Sequence, residues 1–226
     1  MNHRILLILL LVLSQSMSWA DHVIVSGGPS LKRWEKYRVP EDQHDRWWAN
    51  FIRGGTLRMD EIRNVYGNQA AIVWIVYRPA YEMRGREDGK NYVSMIQQQA
   101  SKRGASLIWI RSGSDLIRTL NTRGRGAIQT FDYFGHSNKH CFCLDYGTEI
   151  IATCTQWLHE NELGRIRSSV FARNAYCKSW GCHTGESMSG HWKSQLGVAL
   201  EGAKGKTDYR SLADGKFPAV SGGWVR

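Results

Sequence analysis

"AAIVWIVY", Ala70–Tyr77, runs eight residues without a charge; four are β-branched and two aromatic. Apolar residues at both parities leave such a strand no solvent face, so it must be covered on both sides. That is the position of a strand in a parallel sheet packed between helices. "ASLIWIRS", Ala105–Ser112, reads the same way, and Asn91–Lys102 between them predicts a helix. "RPAYEMRGREDGK", Arg78–Lys90, reads as a loop. Downstream, "GAIQTFDYFGHS" predicts a third strand over Ala127–Phe134, "NAYCKSWGC" a fourth, and "GVALEGAKG" offers a last one before a Gly-rich tail. Helices are expected over Ser114–Asn121, capped by Ser114, and over Thr148–Leu158, Glu160–Ser168 and Ser187–Leu196, the last ending at Gly197. Strand and helix alternating at these spacings predict an α/β fold, a mostly parallel sheet with helices on both faces.

Upstream, Asp21–Gly67 is rich in tryptophan, charge and turn residues. Glu41–Arg53 has helical character, with Trp47, Phe51 and His44 toward one face. "RGGTLRMDEIRNVYG" then predicts a turn and a second helix. Residues 21–67 are therefore expected to form an N-terminal helical extension, packed as one unit with an α/β domain over 68–226. Before them, Met1–Arg4 is basic, Ile5–Leu13 is apolar and Ser14–Ala20 is small and polar. This is the pattern of a signal peptide cleaved after Ala20, and it implies a secreted or periplasmic protein. The apolar run falls short of the roughly 20 residues of a membrane span, and no later segment resembles one.

The full chain carries 30 Lys and Arg against 20 Asp and Glu, a net charge of +10. The basic residues are scattered rather than gathered in a stripe. No nucleic-acid partner is expected, while an anionic envelope polymer remains a candidate partner. Five cysteines, Cys141, Cys143, Cys154, Cys177 and Cys182, are too few for a disulfide-built scaffold. Their odd number leaves at least one thiol outside intrachain pairing.

Ligands of open parallel sheets bind beyond the carboxyl ends of the strands. The third strand runs into "DYFGHSNKH" and delivers His136; the fourth runs into "SWGCHTG" and delivers Cys182. On neighbouring strands, the imidazole and thiol would meet although 46 positions separate them. An imidazolium stabilises a thiolate, and amides at the turn after Cys182 could face a developing oxyanion. Gly181 and Gly185 would let that turn bend sharply.

These two elements resemble those of the caspase-like cysteine peptidases, which include caspases, gingipains and CHAT domains. "IQTFDYFGHS" is similar to their histidine element and "AYCKSWGCHTG" to their cysteine element, with Ser137 standing where the family usually has glycine. The chain as a whole also resembles a family of secreted bacterial proteins. The caspase-like resemblance implies a cysteine peptidase with Cys182 as nucleophile, His136 as proton carrier, and the amides of Cys182 and Ser137 toward the oxyanion. The implied substrate is a peptide or protein, and that chemistry requires no cofactor.

Other readings compete. Cys182 could be structural or disulfide-bonded. Zinc could take ligands from His136, His140, Cys141 and Cys143, or from Cys177, Cys182, His183 and His191, though neither group has a paired C-x-x-C spacing. "GESMSG" fails as a nucleophile elbow because Ser189, not glycine, follows Ser187 by two; Ser187 is expected to begin or cap a helix. "GGPS" and "SGGW" are turn signals. Asp132, Asp145 and Glu186 are candidates for a third catalytic member, and no spacing selects one. Trp47, Trp48, Trp180 and Trp192 could stack on a ligand or pack in the core. The alternative function is non-catalytic: a protein holding a cell-envelope polymer on a basic, tryptophan-rich surface.

Overall fold

The computed structural model describes residues 20–43 and 45–226. The expected signal peptide lies outside the described residues except for Ala20, and so does His44. Six parallel strands form the body of one sheet: β1 (Asp21–Ser26), β2 (Ala71–Tyr77), β3 (Ser106–Ile110), β4 (Ile128–Phe134), β8 (Phe171–Ser179) and β9 (Leu200–Ala203). A seventh, β12 (Trp224–Val225), runs antiparallel along β9, giving the order β12-β9-β8-β4-β1-β2-β3. Between β4 and β8 lies a small antiparallel sheet of β5 (His136–Ser137), β6 (Cys141–Cys143) and β7 (Trp157–His159). A two-stranded pair, β10 (Thr207–Asp208) and β11 (Ala219–Val220), completes the strands.

The period of two sorts the core into two layers. Val73, Ile75 and Tyr77 of β2 face Leu116 and Leu120 of α5 (Gly113–Asn121) and Trp192 of α6 (Met188–Leu196). Ile72, Trp74 and Val76 face α2 (Asn50–Tyr66) and α4 (Tyr92–Lys102), with Met59, Ile62 and Ile96 between them. The continuous apolar run of β2 is thus satisfied on both sides. β3 is the sheet edge and is correspondingly less buried.

Residues 21–67, expected as a helical extension, open instead with β1, paired on both sides by β2 and β4. Val23, Ile24 and Val25 are fully buried, yet three apolar residues between polar flanks are too short a run to announce a strand. The four-residue helix α1 (Lys32–Glu35) and a 3-10 turn at Pro40–Asp42 follow, in place of a helix over 41–53. The next helix is single and runs straight through Gly54–Gly55, where a turn was expected. A Cβ on Gly54 would sit 2.5 Å from the Phe134 ring, and one on Gly55 3.1 Å from Ser26 Oγ. These glycines let α2 lie close on the sheet, a packing gain that outweighs their poor helix propensity.

Arg78–Lys90, read as a loop, is largely helix α3 (Arg78–Asp88), entered through Pro79 and closed by Gly89 in the left-handed region. The cap of α5 is Ser112, whose Oγ accepts from Asp115 N at 3.0 Å, and not Ser114. The helices expected at 148–158 and 160–168 are replaced by bends, β7 and a 3-10 turn at Glu160–Arg165. Trp157 and Leu158 join the small sheet, and Leu158, Leu163 and Ile166 pack into the main core from these short segments. No helix among the described residues is long and apolar enough to cross a membrane.

One buried titratable group under α2 sets a pH limit. His22 is 2 % exposed, and burial, with Arg58 and Arg63 nearby, lowers its pKa from 6.5 to about 4. Between pH 6.5 and 4 the unfolded chain binds this proton and the folded one does not, so His22 removes stability as pH falls through that window. The expected loss between pH 7 and pH 4.5 is about 2 kcal/mol. Urea unfolding at pH 7 and pH 4.5 should show a shallower acid loss in His22→Gln than in the wild type.

Candidate active site

β4 and β8 are parallel neighbours, with Tyr133 beside Ser179. Trp180 N extends the ladder to Tyr133 O at 2.8 Å. Beyond that point β4 continues through Gly135 to His136, and β8 through Gly181 to Cys182, so both expected residues leave the same edge of the sheet. The two turns are joined by a side chain: Ser137 Oγ, next to His136, donates to Cys182 O at 2.8 Å. Gly181 makes the approach possible, since a Cβ there would lie 2.1 Å from Ser137 Oγ and 3.2 Å from Gly135 O. Gly185 serves a different contact, the seat of the turn on β9 and β12, where a Cβ would come within 2.7 Å of Gly202 O.

Cys182 is half-buried. Its sulfur lies 3.3 Å from both Thr207 N and Thr207 Oγ1. The amide of Cys182 donates no hydrogen bond to any described residue. His183, next in the chain, holds a left-handed φ of 62°, a conformation uncommon outside glycine. Its Nδ1 meets Glu186 Oε1 at 2.7 Å.

His136 is 9 % exposed, its ring set edge-on against Phe51 at 5.0 Å and tilted against Tyr146 at 4.7 Å. Its Nε2 lies 2.7 Å from Oδ2 of Asp45, a carboxylate with no solvent exposure. Arg38 Nη1 reaches the same oxygen at 3.3 Å, and Asp45 N donates to Glu35 Oε2 at 3.1 Å. Burial, and then the charge of Asp45, raise the Glu35 pKa. Among the described residues the thiol and the imidazole share no hydrogen bond; such contacts often tighten only when substrate binds.

The three carboxylates considered from sequence are engaged elsewhere. Asp132 receives Arg58 Nε at 2.8 Å and Trp180 Nε1 at 3.0 Å. Asp145 accepts the amides of Thr155 and Gln156 at 2.6 and 2.9 Å. Glu186 accepts Gly205 N at 2.9 Å and holds His183. Asp45 was not among them. It lies 91 positions from His136, in an irregular segment with no periodicity to mark it.

Opposite that segment, the chain around Lys206–Tyr209 closes the far side. Lys206 Nζ pairs with Asp42 at 2.8 Å, and Tyr209 OH donates to Trp180 O at 2.9 Å. Both candidate residues are therefore held between the irregular N-terminal segment and a C-terminal strand.

The strand order reverses between β1 and β4, which is where doubly wound sheets bind nucleotides on a glycine-rich turn. Here that turn is filled from within. Gly27 N donates to Phe134 O at 2.8 Å and Gly28 N to Leu144 O at 2.7 Å. A Cβ on Gly28 would lie 2.0 Å from the Cβ of Ala80. Amides that would cradle a phosphate are committed to carbonyls.

Among the described residues no group of three or more His, Cys, Asp or Glu side chains is arranged to hold a metal. All five cysteines carry free thiols. Ser187 Oγ donates to Glu160 Oε2 at 2.8 Å and makes no side-chain cap at the start of α6. Of the four tryptophans singled out, Trp180 and Trp192 are buried and Trp48 stacks on Tyr92 at 3.8 Å, leaving Trp47 exposed. Comparison with protein-family models, curated proteins and solved structures finds no match.

Proposed function

We propose that the protein is a secreted cysteine-dependent hydrolase, a peptidase of caspase-like design, in which Cys182 is the nucleophile, His136 the proton carrier and Asp45 the residue that positions His136. One observation carries this reading: a buried carboxylate sits 2.7 Å from Nε2 of a strand-end imidazole whose loop is bonded to that of a strand-end thiol. The thiol gives its proton to His136, and Asp45 steadies the resulting imidazolium. The sulfur attacks the substrate carbonyl carbon, and the oxyanion turns toward the Cys182 amide. His136 then protonates the departing amine, leaving a thioester on Cys182. Water, deprotonated by His136, attacks the thioester, releasing the acid and restoring the thiol.

A second reading has its own support. Tyr37 and Trp47 are 63 % and 62 % exposed, and Lys36 and Arg46 lie over their rings at 4.9 and 5.6 Å. An aromatic and cationic surface of this kind suits an anionic polymer. The decisive experiment is digestion of a mixed-sequence peptide library by the wild type and by Cys182→Ala. Cleavage by the wild type alone supports the hydrolase. Equal behaviour of the two proteins, with polymer binding that weakens in salt, supports the binding protein.

A further inference from the structure

One residue of β10 meets the Cys182 sulfur twice. Thr207 N donates to it at 3.3 Å, and Thr207 Oγ1 lies at the same distance. The register of the β10–β11 pair explains the aim of the amide. Ser221 N donates to Lys206 O at 2.9 Å, so Lys206 and Ser221 face each other at a hydrogen-bonded position. Thr207, opposite Val220, is the next position along, where the N–H turns away from the partner strand. It turns toward Cys182. The chain entering β10 is also tied to the turn that carries the thiol: His183 N donates to Gly205 O at 2.8 Å, and Gly205 N to Glu186 Oε1 at 2.9 Å.

We propose that Thr207 holds the Cys182 thiolate, its N–H and its O–H both donating to the charged sulfur. Hydrogen bonds to an ionised acceptor are about twice as strong as those to a neutral one. A pair of them on one sulfur therefore favours thiolate over thiol. Its catalytic consequence rests on the hydrolase reading above. The thiol proton passes to His136 and leaves the negative charge on sulfur, where Thr207 receives it. On attack, a sulfur lone pair forms the bond to the carbonyl carbon, and the charge moves to the carbonyl oxygen. Both Thr207 bonds then weaken, and Thr207 itself neither gains nor loses a proton. Thiolate and oxyanion thus have separate donors, Thr207 for the first and the Cys182 amide for the second.

The charged groups around the sulfur are engaged in pairs of their own: His183 with Glu186, Lys206 with Asp42, Asp208 with Arg210 and His136 with Asp45. A change confined to the Thr207 hydroxyl leaves all four pairs in place. Thr207 is half-buried on a short strand. Thr207→Val keeps its β-branched shape and its preference for extended backbone while removing only the hydroxyl. Thr207→Ser keeps the hydroxyl and removes only the methyl group.

The test is the rate of Cys182 labelling by iodoacetamide in the wild type, Thr207→Val and Thr207→Ser, at pH 7 and pH 9.5. At pH 7 Thr207→Val should react about 3–10-fold more slowly, because less of its Cys182 is thiolate. At pH 9.5, where the thiol ionises without help, it should match or exceed the wild type, since a thiolate with fewer hydrogen bonds is the better nucleophile. Thr207→Ser should follow the wild type at both. Labelling of Thr207→Val at or above the wild-type rate at pH 7 would overturn the proposal, since the hydroxyl would then merely shield the thiol. So would an equal slowing at both pH values, which reports altered access, or a Thr207→Ser protein that behaves as Thr207→Val. The labelling needs no substrate, so it judges the Thr207 contact even if no peptide is cleaved.

Discussion

His136→Ala is expected to lower Cys182-dependent hydrolysis by about 10²–10⁴-fold, the usual contribution of a positioned proton carrier. In the proposed mechanism the imidazole takes the thiol proton before attack and returns one to the leaving amine, so its loss would slow both halves of acylation. Asp45→Asn should produce a smaller loss of the same kind. It preserves the shape of a fully buried side chain 2.7 Å from Nε2 but removes the charge that steadies the imidazolium. Because Asp45 acts through His136 and not on the substrate, kcat should fall while KM holds. Steady-state kinetics on one cleaved peptide separate the cases. A rise in KM at constant kcat would place Asp45 in substrate binding or in general integrity of the fold.

Arg58→Ala is expected to cost about 3–5 kcal/mol of stability, as happens when one partner of a buried ion pair is removed. Asp132 is fully enclosed beneath α2, and Arg58 is its cationic partner. Burial raises the Asp132 pKa, with Arg58 the largest opposing influence, followed by Trp180. An acid whose folded pKa is raised favours the folded state at low pH and loses that contribution as pH rises through the folded pKa. Without Arg58 this loss deepens, so the variant should be weakest near neutral pH and recover part of its deficit in acid. For a chain of this length the neutral-pH deficit corresponds to roughly 6–20 °C in Tm. Differential scanning calorimetry at pH 7 and pH 4.5 measures both. Replacing the pair together, as Arg58→Met with Asp132→Leu, should recover most of the stability, since no buried charge is stranded.

The parts of the fold legible in sequence were those whose pattern is set by local burial. β2 declares itself because every residue is covered, and α4 because one face alternates with solvent. β1 does not, since three buried apolar residues take their strand identity from two neighbours distant in sequence. The helix through Gly54–Gly55 is hidden for the same reason: only the nearness of Phe134 and Ser26 explains the glycines. At the site, the strand ends carrying His136 and Cys182 were visible because apolar runs stop there. Asp45 was not, because its meeting with His136 is made by tertiary packing of an irregular segment. The Thr207 contacts on the Cys182 sulfur are equally non-local, 25 residues away along the chain.

The central claim is that His136 activates Cys182, and alkylation tests it without knowledge of the substrate. Native wild type, His136→Ala and Asp45→Asn would be treated briefly with iodoacetamide near pH 7, and each of the five cysteines quantified by mass spectrometry. Cys182 should be labelled fastest in the wild type, markedly more slowly in His136→Ala, and at an intermediate rate in Asp45→Asn. Equal labelling of Cys182 in all three proteins would contradict the account.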